Sequence, residues 1–68
     1  MFRVHYGSTI EGETILTLGP EVLLPEASHR ARDIGCNVLV YSRFGWYIKR
    51  QTAPTPVKND SSVTYIIK

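Results

Sequence analysis

The sequence predicts an α+β domain: one α-helix packed on one face of an antiparallel β-sheet of four to five strands, in the order ββαβββ. Three observations carry that expectation. Val38 to Gln51, VLVYSRFGWYIKRQ, consists of two alternating apolar runs joined by a short turn through Arg43, Phe44 and Gly45, the pattern of a hairpin in a half-buried sheet. Pro25 to Ile34 is the one segment with helical spacing. Shorter β-patterned runs flank both, and 68 residues make a single small domain, 1–68.

Taken in order, Phe2, Val4 and Tyr6 alternate with Arg3 and His5 as in a half-buried strand, which Gly7 and Ser8 end or bend. Glu11 and Gly12 read as a turn. Thr14 to Leu18, TILTL, is then a second strand closed by Gly19-Pro20, and the simplest pairing makes these two strands a hairpin. In the helix, Pro25 suits a first-turn position that lacks an N–H partner, Glu26 suits the positive end of the dipole, and Gly35 suits the left-handed residue beyond the end. Ala27, Ala31 and Ile34 form its apolar stripe, with Ser28, Arg30 and Arg32 opposite.

After Cys36 and Asn37 comes the central hairpin. Val38, Val40, Trp46 and Ile48 are expected to back the helix stripe, leaving Tyr41, Arg43, Tyr47 and Lys49 on the other face. Thr52 to Ser62 contains two prolines and an Asn-Asp-Ser cluster, and reads as an exposed loop, residues 52–62. Val63 to Ile67 is the last strand.

A hydrophobic fraction of 43% and a charged fraction of 21% place the chain with folded rather than disordered proteins. One cysteine, Cys36, and two histidines, His5 and His29, supply neither an internal disulfide nor a four-ligand zinc site, so no cofactor or metal is expected and a reducing, cytoplasmic setting is favoured. No apolar run approaches the ~18 residues of a membrane span, and MFRVHYGST lacks the basic start and apolar block of a signal peptide. Charge is uneven. Through Glu26, Arg3 stands alone against four glutamates; from Ala27 onward seven lysines and arginines stand against Asp33 and Asp60, an asymmetry that suits a polyanionic or acidic partner.

Catalytic chemistry is not expected. Cys36, directly before a buried strand, fits a small core residue better than a nucleophile, and Glu11 and Glu13 fall in a turn, where acidic residues serve solvation. The candidate site is instead the sheet face that the chain has no second layer to cover. Tyr41, Arg43, Phe44, Tyr47 and Lys49 are assigned to partner binding: interleaved aromatics and cations suit recognition, and Phe44 is a large aromatic at a hairpin tip. Arg3, Arg30, Arg32, Arg50 and Lys68 are the further candidates for contacts to nucleic-acid phosphates.

Arg43-Phe44-Gly45-Trp46-Tyr47-Ile48 is similar in part to the aromatic RNA-contacting motif of the RNA-recognition-motif family. It lacks the glycine between the basic residue and the first aromatic, and that fold has two helices where this chain has one, so that family is rejected. In length and layout the chain resembles the small stand-alone proteins with which phages and other mobile elements block host machinery, including anti-CRISPR proteins. The resemblance rests on Phe2 to Tyr6, Thr14 to Leu18, Pro25 to Ile34, Val38 to Gln51 and Val63 to Ile67, and on no diagnostic motif. It implies a non-enzymatic inhibitor that occludes a host protein or nucleoprotein complex. The alternatives from the residues themselves are a single-stranded RNA or DNA binder using the same face, and a structural homodimer that buries it.

Overall fold

A computed structural model describes residues 1–68. The chain forms β1 (Phe2–Thr9), β2 (Leu16–Leu18), α1 (Leu24–Asp33), β3 (Val38–Ser42), β4 (Gly45–Lys49) and β5 (Val57–Ile67). All five strands make one antiparallel sheet in the spatial order β1-β5-β3-β4-β2, with the single helix on one face, so the α+β architecture is as expected.

The expected hairpin between the first two strands does not form. β1 and β2 lie at opposite edges of the sheet, β1 paired to β5 and β2 to β4. Their connection therefore has to cross the sheet, and it does so beneath the face opposite the helix. Ile10 is buried there against Val38 and Val40, with Tyr47 packed alongside. Burying this lone isoleucine supplies the apolar contact that holds the crossing segment, on the order of 2 kcal/mol for a fully buried aliphatic side chain.

Register explains which residues face which way. Ser42 pairs with Gly45, leaving only Arg43 and Phe44 in the turn, so Tyr41 lies opposite Trp46, Val40 opposite Tyr47, Leu39 opposite Ile48 and Val38 opposite Lys49. Directly paired residues share a face. Leu39, Trp46 and Ile48 consequently pack with Ala27, Ala31 and Cys36 in the helix-side core, and half-buried Tyr41 joins them. Val38 and Val40, expected beside Trp46 and Ile48, point to the opposite side. A turn one residue shorter than Arg43-Phe44-Gly45 flips one arm relative to the other.

The helix starts one residue earlier than expected, with Pro25 in its first turn and Leu23 as an N-cap that makes no side-chain bond. Ala27 and Ala31 are its buried residues; Ile34 closes the helix and is partly exposed. Two side chains tie the helix entry to the sheet: the Trp46 indole N–H donates to Val22 O at 2.7 Å and the Tyr41 hydroxyl to Pro20 O at 3.2 Å. At the other end Arg50 donates to Gly35 O and Ile34 O, both at 3.0 Å, using its fork on carbonyls the helix leaves unpaired.

β5 begins at Val57, so residues 57–62 belong to a strand and not to a loop. Its pairing with β1 is interrupted: between Tyr6 and Ser8 β1 advances two residues while β5 advances five, from Val63 to Lys58. Gly7, at φ +63°, takes the left-handed conformation there, and the three surplus residues of β5 bulge out of the ladder. The polar run Lys58 to Ser62 reads as loop in sequence because a bulged edge region need not alternate.

Candidate partner-binding site

The five residues assigned to partner binding do not share a face. Tyr41 is on the helix side, where its ring meets Trp46 at a centroid distance of 4.7 Å. Tyr47 and Lys49 are on the other side, and Arg43 and Phe44 form the turn at the end of the hairpin. Nor is Lys49 a surface cation. It is only 7% exposed, and its ammonium donates to Gly12 O at 2.9 Å, in the segment that crosses beneath the sheet. The face expected to lie bare is thus partly covered by Ile10 to Gly12, which the single apolar residue before Glu11-Gly12 signals once it is read as a core residue. Phe44 stays out in solvent at 69% exposure, and the Arg43 guanidinium stacks over it at 4.8 Å.

What remains uncovered on the helix-bearing face is its β1 edge: Phe2, Tyr65 and Ile67 pack against the helix-side core, whereas Val4 and Tyr6 stay exposed. Pairing sets Tyr6, Val63 and Tyr41 side by side in one row and Val4, Tyr65 and the buried Leu39 in the next. Aromatic rings continue through the rows: Phe2 meets Tyr65 edge-on at 6.0 Å, and Tyr65 meets Trp46 at 5.8 Å. Tyr6 is 81% exposed and Val4 is partly so, which is unusual for two apolar-faced residues of one strand. The Tyr65 phenol is held above its ordinary pKa of 10.0, first by burial and then by the negative charge that Tyr6 and Tyr41 acquire when they ionise, which marks the three hydroxyls as neighbours. These residues were not grouped in sequence because Tyr6, Tyr41 and Tyr65 lie far apart along the chain; only the β1-β5-β3 order unites them.

A recess lies beyond the β3–β4 turn. It has a volume of about 270 Å³ and is walled by the turn (Ser42, Arg43, Phe44), by Tyr47, by Thr9 and by the β5 bulge. Three of the five assigned residues, Arg43, Phe44 and Tyr47, meet here.

The residues proposed for nucleic-acid phosphates are scattered. Arg30 and Arg32 are exposed on the helix, Arg3 faces away from the helix at the β1 edge, Lys68 follows β5, and Arg50 is engaged with the helix-end carbonyls. His29 Nε2 lies 3.4 Å from Asp33 Oδ2, one helical turn on, with both side chains exposed. Cys36 is buried in the helix-side core, and no three His, Cys, Asp or Glu residues come together as metal ligands. No helix is long and apolar enough to cross a membrane. No protein-family model matches the chain, and neither a curated protein nor a solved structure matches it.

Proposed function

We propose that this chain is a non-enzymatic interaction protein that binds a protein surface through the exposed β1 edge of its helix-bearing face, centred on Tyr6 and Val4 with the half-buried Tyr41, Val63 and Tyr65 beside them. The observation that supports this most is Tyr6: a strand tyrosine 81% exposed beside two further tyrosines and two valines. Tyrosine suits such a role because its ring buries large apolar area at low entropic cost and its hydroxyl remains available for a hydrogen bond. Function by occupancy, as a stoichiometric inhibitor of a host protein or of the protein part of a nucleoprotein complex, is the mode that fits a small domain with a rigid aromatic face.

Single-stranded nucleic acid is the weaker reading, and the reason is the separation of cations from rings. Stacking platforms interleave the two. Here Lys49 is turned to the opposite side and bonded internally, and Arg3 faces away from Tyr6. A homodimer through β1 would use the same surface.

Tyr6→Ala tests the proposal. It should abolish capture of the partner from extracts of the native host while the circular dichroism spectrum and unfolding midpoint stay unchanged, since Tyr6 packs against little. Unaltered capture would sink the aromatic face. Recovery of oligonucleotide alone, with an affinity that falls steeply with salt, would favour the nucleic-acid reading, and a concentration-dependent sedimentation coefficient abolished by Tyr6→Ala would favour the homodimer.

A further inference from the structure

The recess behind the β3–β4 turn is built from a bulge, and its lining is chemically one-sided. Thr9, Tyr47, Ser61 and Ser62 each bring a hydroxyl that makes no hydrogen bond within the chain, and Asn59 brings an amide whose oxygen accepts from Ser61 N at 3.0 Å, leaving its NH₂ free. Ser62 is 7% exposed and lines the recess with no side-chain hydrogen bond within the chain. Arg43 is the only charged residue in the lining; it makes no ion pair, and its guanidinium is stacked on Phe44 with its donors unspent. Asp60, between Asn59 and Ser61, directs its carboxylate toward Gly7 and is absent from the wall.

We propose that this recess binds a phosphate monoester. Arg43 supplies the planar fork that recognises an oxyanion bidentately, and the hydroxyls and the Asn59 amide supply neutral donors to the remaining oxygens. A carboxylate offers only two oxygens to this number of donors, whereas a phosphate group offers three with a larger charge. The volume of about 270 Å³ holds the phosphate and a modest organic body, just under the ~300 Å³ where ligand pockets usually begin. Phe44 and Tyr47 are the apolar walls against which that body rests. The surplus residues of β5 acquire a purpose in this light, because by leaving the ladder with β1 this stretch puts Asn59, Ser61 and Ser62 in the wall of the recess.

The shared chemistry is the monoester, and its source is separated by the ligands used. The folded, isotope-labelled chain is titrated with inorganic phosphate, a phosphoserine peptide, a nucleoside monophosphate and acetate while backbone amide shifts are followed. The expected result is saturable movement of Thr9, Arg43, Asn59, Ser61 and Ser62 with at least one phosphate ligand, weakened by about tenfold or more in Arg43→Ala. Arg43→Lys should recover part of it, Ser61→Ala should weaken it less, and Arg32→Ala and Tyr6→Ala should leave it unchanged. Preference for the peptide, for the nucleotide or for free phosphate would each support the site and name its source. Acetate binding as tightly as phosphate, equal shifts at Arg30, Arg32 and Arg50, an unaffected Arg43→Ala, or no saturation with any phosphate ligand would overturn it. Because Tyr6 lies on the opposite face, failure here leaves the aromatic surface untouched.

Discussion

The Lys49 ammonium is buried beneath the sheet and bonded to the carbonyl oxygen of Gly12, 37 residues away in sequence, at 2.9 Å. The bond fastens the segment that joins the two edge strands to the last residue of the second hairpin strand. Gln51 reinforces it by donating its side-chain amide to Glu11 O. A lysine that looks in sequence like a surface cation is therefore part of the internal framework.

Lys49→Met, which keeps the stem and removes the donor, should lower unfolding free energy by about 1.5–3 kcal/mol, the range for a hydrogen bond to a charged group. Urea unfolding monitored by Trp46 fluorescence measures it, as a lower midpoint at unchanged slope. A shift smaller than the error of the extrapolation would mean that water replaces the ammonium at Gly12 without loss.

Gly45 and Gly7 separate two uses of glycine. Gly45, at φ +125°, ends the turn with the Leu18 carbonyl of β2 so close that any Cβ would overlap it, whereas Gly7, at φ +63°, has nothing nearer than Asp60 Oδ1 at 3.9 Å. Gly45→Ala should cost about 3 kcal/mol or more and detach β2. Gly7→Ala should cost only the ~1–2 kcal/mol of placing a side chain in the left-handed region. Thermal unfolding of the two variants checks the order, and equal costs would refute the close approach of β2 to the turn.

Tyr65 makes stability fall in alkali. Its folded pKa is raised above 10.0 by burial and by the ionising Tyr6 and Tyr41. The folded state thus keeps the phenol proton where the unfolded chain has lost it, so unfolding releases protons. Its contribution is intact below pH 10 and disappears as pH climbs from 10 through the folded pKa. Tyr65→Phe should change stability at neutral pH by less than about 0.5 kcal/mol, because the hydroxyl makes no bond within the chain, and should flatten the alkaline decline. Denaturation midpoints across that pH range give the slope; identical slopes in both proteins would assign the decline to other groups.

The helix and the two arms of the central hairpin were legible in the residues because both repeat an apolar period several times. Pro25, Glu26 and Gly35 bounded the helix, and Val, Tyr, Trp and Ile marked the arms. Facing was not legible. It turned on whether Gly45 belongs to the turn or to the strand, and that single residue decides whether Val40 or Leu39 lies beside the helix. Long-range order was hidden for a related reason: nearest-neighbour pairing is the default for consecutive strands, and only Ile10, one apolar residue among polar ones, argued that β1 and β2 part company. Of the five residues assigned to one open face, Arg43, Phe44 and Tyr47 meet around a recess while Tyr41 and Lys49 lie elsewhere, and the proximity of Tyr6 to Tyr65 was hidden because it depends on β5 returning between β1 and β3.

That return has a temporal side. β1 precedes the other five elements described, yet its only strand partner is β5, the sixth, with Phe2 set against Ile67. Until β5 docks, β1 is an unpaired strand carrying Phe2, Val4 and Tyr6, and the sheet lacks the member that links its edge to β3. Non-local pairing of this kind slows folding, since loop entropy is spent before contacts repay it. Until that pairing forms, Tyr6 and its neighbours are sticky without being specific, and their selectivity as a surface begins only when β5 docks.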